Sequence, residues 1–152
     1  MDELTYEVKA VMMNAEYPLL VTVPYGDYRK SLITATKNMR TELKVAFPGV
    51  KFSIKSERYS GGDSVRVQWT DGPKNSAVMG IVKKYQDGHF DGMTDCYDYS
   101  NDPFTDFFGG AKYVFAQREC SDALKAKARA VVLERYGDCA DIDLFYRTLG
   151  EM

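Results

Sequence analysis

Residues 88 to 106, GHFDGMTDCYDYSNDPFTD, hold five aspartates at 91, 95, 98, 102 and 106, with no lysine or arginine among them. Oxygen-rich segments of this kind suit hard cations, which want several carboxylate and carbonyl ligands. The spacing departs from the Asp-x-Asp-x-Asp-Gly pattern of a calcium loop, and no second ligand cluster accompanies it, so no metal site is assigned. His89 is the chain's one histidine, and any imidazole chemistry must use it, with Cys96 seven residues on. Nothing in the sequence orders a third group behind that pair, and Gly88-His89 reads equally well as a turn. No residue is therefore singled out as catalytic and no cofactor is called for. Carboxylate pairs such as Asp91 with Asp95, or Asp63 with Asp71, stay open as acid–base candidates, because separation along the chain says little about separation in space. The rings Tyr97, Tyr99, Phe104, Phe107 and Phe108 are too many for an ordinary solvated loop, and they point to a recognition surface. On the plainer reading the loop is solvated, with Phe90 and Met93 tucked inward.

A second constellation is the glycine-rich YSGGDS at 59 to 64. It lacks the lysine of a Walker loop and the spacing of a dinucleotide loop, and reads first as a hairpin turn. Arg58, Tyr59 and Arg66 lie beside it, and Lys55 and Arg66 point to one side if the flanking strands pair, giving a modest basic face. The run LKAKARAVVLER from 124 to 135 sets four basic residues on a helix, a candidate contact for nucleic acid or an acidic partner, but reads first as a solvated face opposite the apolar stripe.

The elements that position these groups follow from hydrophobic periodicity. Leu32, Ala35, Met39, Leu43 and Ala46 recur at helical spacing and Pro48-Gly49 ends the run. Val50, Phe52 and Ile54, then Val65, Val67 and Trp69, alternate with polar residues, which predicts an antiparallel hairpin around ERYSGGDS with Trp69 on its buried side. Val78, Ile81, Val82 and Tyr85 predict a helix opened by Pro73. KYVFAQRE predicts a third strand. Ser121 is the predicted cap of a helix carrying Leu124, Ala128, Val131 and Val132 and closed by Gly137, and Asp141 that of another with Ile142, Phe145, Tyr146 and Leu149. Before residue 29, a short helix and an edge strand from Leu19 to Val23 are expected. The fold class is α+β: residues 1 to 152 form a single domain with a helix-hairpin-helix-strand core and an extra C-terminal helical pair at 121 to 149.

With 152 residues, 45% of them hydrophobic, the chain is long enough for one buried core. A net charge of −2 offers no global attraction for nucleic acid. The three cysteines Cys96, Cys120 and Cys139 include no CxxC pair and read as reduced thiols. No apolar run approaches a membrane span and the acidic start MDELTYEVKA is unlike a signal peptide, so a soluble, cytoplasmic protein is expected.

AFPGVKFSIKSERYSGGDSVRVQWTDGP, VKKYQDGHFDGMTDCYDY and KYVFAQRE, in that order, resemble the twenty-ninth family of large polyvalent protein-associated domains, over roughly residues 38 to 119, with residues 1 to 28 as an N-terminal extension. The resemblance implies a setting in phage and conjugative-element proteins that act in a bacterial host and oppose its defences. It identifies no catalytic residue. Three functions remain in view. The first is an accessory protein that binds and inhibits, or modifies, a host protein through Asp91, Asp95, Tyr97, Asp98, Tyr99, Asp102 and Phe104. The second is a nucleic-acid-binding module using Arg58, Tyr59 and Arg66. The third is a small metal-dependent hydrolase centred on His89, Asp91 and Asp95.

Overall fold

The computed structural model describes residues 2–100, 102–137 and 142–152. Helix α1 (Glu3–Glu16) is followed by α2 (Ser31–Ala46), strands β1 (Ser53–Tyr59) and β2 (Gly62–Thr70), and helix α3 (Asn75–Val82). Then come β3 (Gly88–Asp91), β4 (Cys96–Tyr99), the short helix α4 (Pro103–Phe108), β5 (Tyr113–Glu119), α5 (Asp122–Tyr136) and α6 (Ile142–Glu151). The α+β class is as expected.

The main sheet has the order β1-β2-β5. β1 and β2 pair antiparallel across the two-residue turn Ser60-Gly61, with Tyr59 opposite Gly62, so Arg58 and Asp63 sit in the strands and not in a loop. β5 pairs with β2 in parallel, which requires the whole of 71 to 112 as a crossover. The inner face of the sheet buries Ile54, Val65, Val67, Trp69 and Val114 beneath Leu32, Ala35, Met39 and Leu43 of α2 and Val78 and Val82 of α3. Trp69 is core, and its indole N–H donates to the Pro73 carbonyl at 2.9 Å, satisfying the one polar atom that its burial would otherwise strand. Lys74 occupies the cap position of α3, so Pro73 precedes that helix and does not open its first turn.

The segment from Leu19 to Val23 starts in a turn, continues without regular structure and joins no sheet among the described residues, contrary to expectation. The buried side chain of Asn38 replaces a neighbouring strand: its amide oxygen accepts from Val21 N–H and its NH₂ donates to the Val21 and Phe108 carbonyls, at 2.8, 2.8 and 2.9 Å. Residues 88 to 99 are not an irregular loop but the hairpin β3–β4. α1 is helical, yet Leu4, Val8, Val11 and Met12 face solvent while Tyr6, Ala10, Met13 and Tyr17 pack on the core. Ser121 caps α5 as predicted, its Oγ accepting from Leu124 N–H at 3.2 Å, and Gly137 closes that helix at φ 55°. The Asp141 cap and Cys139 lie outside the described residues. Cys96 and Cys120 are free thiols. Among the described residues no helix is long and apolar enough to cross a membrane.

Candidate functional site

The β3–β4 hairpin is built by its glycine and its aspartates. A Cβ on Gly88 would stand 2.0 Å from the Asp98 carbonyl oxygen, so only glycine lets the strands approach here. At the turn, Asp91 accepts from Met93 N–H and from the Thr94 hydroxyl, both at 2.9 Å, and these bonds hold its carboxyl below its ordinary range. Asp95 adopts φ 54°, a left-handed conformation that aspartate tolerates better than most residues. Alternation then places Phe90, Tyr97 and Tyr99 on one face, and His89, Asp91, Cys96 and Asp98 on the other.

The aromatic face continues onto the main sheet. Tyr97 meets Tyr99 at 4.8 Å and Tyr113 at 5.5 Å, both edge-on, and Tyr113 lies nearly parallel to Phe115 at 6.2 Å. The Tyr97 hydroxyl donates to the Lys112 carbonyl, and burial pushes it up to about 12. The Lys112 ammonium sits 5.0 Å over the Tyr97 ring. Phe90, Tyr99 and Phe115 remain 51%, 66% and 48% exposed, and Met93 at the hairpin tip 97%. Phe90 and Met93 are thus not tucked into the core. Asp95 at the turn and Asp98 on the opposite face of the hairpin are exposed.

Other predicted site residues lie elsewhere. Phe104 is 4% exposed, packed edge-on against Tyr17 and Tyr85, so it belongs to the core and not to the exposed ring surface; Phe107 and Phe108 are buried with it. Asp102 caps α4, accepting from Phe104 N–H at 2.9 Å ahead of Pro103. Asp-Pro at a helix start was the signal that would have turned those three rings inward. Arg66 lies on the outer face of the sheet opposite Lys55 in β1 and Phe115 in β5. The Tyr59 hydroxyl donates to the Asp63 carbonyl at 3.2 Å. His89 and Asp98 are 3.8 Å apart, both exposed, and no group of three potential metal ligands converges among the described residues.

Sequence reasoning missed the aspartate whose surroundings are most unusual. Asp87 lies in a cleft of about 590 Å³ between the start of α2, the β1–β2 turn and α4. Burial, aided by the negative charge of Asp63, pushes its carboxyl up to about 6, against a hydrogen bond from Thr105 that opposes the rise. Asp106 adds to the repulsion and is itself raised, chiefly by burial. A Cβ on Gly110 would stand 2.1 Å from Asp87 Oδ1, so glycine is needed to leave the carboxylate room. Arg29 and Arg58 line the same cleft, with Tyr28 and Tyr99 among its walls. A depression of about 700 Å³ near Trp69 offers one lysine and one glutamate, Lys51 and Glu119, and no comparable convergence.

The family model of Large polyvalent protein associated domain 29 matches residues 31–121. The chain belongs to that family. No curated protein and no solved structure matches it. The matched stretch of this polyvalent protein associated domain runs from α2 through β5, so it contains the whole aromatic belt together with Arg58, Asp63, Asp87 and Asp106. Helix α1, Tyr28 and Arg29 precede it, and α5 and α6 follow.

Proposed function

We propose that this polyvalent protein associated domain is a protein-binding module whose contact surface is the aromatic face of β3–β4 and the adjoining edge of β5. The observation that carries the reading is the belt of Phe90, Tyr97, Tyr99, Tyr113 and Phe115, three of whose rings are about half exposed or more. Rings mounted on paired strands bury large area at small rotamer cost, the usual composition of binding hot spots. Asp95 at the turn and Asp91 and Asp98 on the other face of the same hairpin, in a stretch without lysine or arginine, favour a partner that presents positive charge and grips the hairpin from both sides. The carboxylates imitate the phosphates of a nucleic acid toward such a partner. The phage and mobile-element setting implied by the resemblance makes that partner a bacterial host protein, such as a defence component, and the outcome its inhibition or modification.

Affinity capture from nuclease-treated bacterial lysate tests this when the wild type is run beside Asp95→Asn with Asp98→Lys, and Phe90→Ser with Tyr99→Ser. Asparagine is used at 95 because it tolerates the left-handed backbone there. A host protein retained by the wild type and lost from both folded variants supports the reading; capture that is equal in all three refutes it.

One observation favours a second reading. Lys55 directly faces Arg66, which faces Phe115, a cation–ring platform on the open side of the sheet. Single-stranded nucleic acid bound there would lose affinity steeply with salt and be released by Arg66→Glu.

A further inference from the structure

The cleft around Asp87 presents charges of both signs that form no ion pair among the described residues. Among the described residues the ion pairs are Lys30 with Asp27, Lys84 with Glu42 and His89 with Asp98. Arg58 donates to the Arg29 carbonyl, and among the described residues neither Arg58 nor Arg29 forms an ion pair. Asp87 has one side-chain donor, Thr105, and Asp63 takes the backbone N–H of Lys112 at 2.7 Å. Two guanidiniums, Arg29 and Arg58, and three carboxylates, Asp63, Asp87 and Asp106, therefore line one cavity, and among the described residues no ion pair joins them. A ligand that satisfies both is anionic at one end and rich in N–H donors at the other.

Size and wall chemistry narrow the class. About 590 Å³ falls in the range of roughly 300–1,000 Å³ typical of sites for drug-sized ligands, too large for a zwitterion such as an amino acid to fill. Tyr28 and Tyr99 provide ring faces on which a base can stack. Guanine alone among the common bases offers two adjacent N–H groups, at N1 and the 2-amino group, to both oxygens of one carboxylate. Adenine and cytosine set an acceptor nitrogen beside their amino group, and uracil flanks its N–H with two carbonyls; each repels a second carboxylate oxygen. Arginine forks match phosphate oxygens in the same paired way.

We propose that this cleft binds a guanine nucleotide, with Asp87 accepting from N1–H and the 2-amino group and with Arg29 and Arg58 holding the phosphate. The inference does not rest on the protein-binding reading: Asp87, Arg29 and Arg58 lie outside the aromatic belt, and Tyr99 is the residue the two surfaces share. The raised affinity of Asp87 for its proton fits a carboxylate waiting for donors, and binding should weaken as pH falls through about 6.

Isothermal titration of the full chain with GMP, IMP, XMP and inorganic phosphate tests it. The wild type should bind GMP, bind IMP at least tenfold more weakly because it lacks the 2-amino group, and give no measurable binding of XMP. Asp87→Asn replaces one acceptor by a donor, so it should lose GMP by tenfold or more and gain XMP, whose 2-carbonyl accepts. That reversal of preference is a readout no merely structural effect produces. Arg29→Ala should weaken all three nucleotides alike. The proposal is overturned if GMP shows no binding at millimolar concentration, if inorganic phosphate binds as well as GMP, or if Asp87→Asn leaves the order of the nucleotides unchanged.

Discussion

Replacing Asp87 by asparagine should make the protein more stable at neutral pH, and the gain should vanish in acid. The unfolded carboxyl releases its proton near 3.8, the folded one only at about 6. Between these values the folded state holds more protons, so stability falls as pH rises through that window and the full cost is present above it. The gap of about two pH units, at roughly 1.36 kcal/mol per unit, sets an upper bound of about 3 kcal/mol, and solvent screening of this partly exposed carboxyl leaves on the order of 1–2 kcal/mol. Asparagine is nearly isosteric, carries no charge for Asp63 and Asp106 to repel, and keeps an oxygen for the Thr105 hydroxyl. Urea unfolding followed through Trp69, the chain's single and buried tryptophan, reads the difference. At about pH 7.5 the variant should gain on the order of 1–2 kcal/mol, about 2–8 °C in Tm for a chain of this length. At about pH 3.5 the two proteins should coincide. A variant no more stable at neutral pH, or a gain that persists unchanged in acid, refutes the assignment of a strained carboxylate to this cleft.

Asn38→Ala removes three hydrogen bonds and strands buried backbone groups of Val21 and Phe108, so it should cost about 3–5 kcal/mol in a urea melt. Gly109→Ala would set a Cβ 2.2 Å from the Ser31 carbonyl at φ 84°; loss of at least ~2 kcal/mol or of soluble expression is expected. Tyr85→Phe deletes a hydroxyl that donates to Glu42 Oε2 at 2.6 Å and should lower stability by about 1–2 kcal/mol, measured by thermal melting.

The parts of the fold legible in the sequence are those where one face is uniformly apolar. Leu32, Ala35, Met39 and Leu43 line the buried side of α2, and Val65, Val67 and Trp69 that of β2, so periodicity alone located both. The hairpin β3–β4 escaped because glycine and aspartate are poor strand formers, although Tyr97-Asp98-Tyr99 carries the two-residue alternation. KYVFAQRE was recognisable as a strand, but its parallel seat beside β2 depends on a crossover that no local pattern encodes. The strand expected from Leu19 to Val23 was displaced by one buried amide, Asn38, which is seventeen residues away from Val21. Of the site, the ring-rich acidic hairpin was visible in composition, while Phe104 was assigned to the wrong side of the chain. Asp87 was invisible, since its perturbation arises from Asp63 and Asp106, which approach it only after the sheet and α4 have formed.

Hydroxyl-radical footprinting of the captured complex tests the binding surface most directly, because it reads side-chain access at Phe90, Met93, Tyr99 and Phe115, all exposed in the free chain. Oxidation of Phe90, Tyr99 and Phe115 should fall severalfold in the complex, while exposed α5 residues such as Tyr136 stay unchanged. Unaltered oxidation of the hairpin rings, with protection confined to α1, α5 or the Lys55–Arg66 face, would contradict the assignment of β3–β4 as the contact surface.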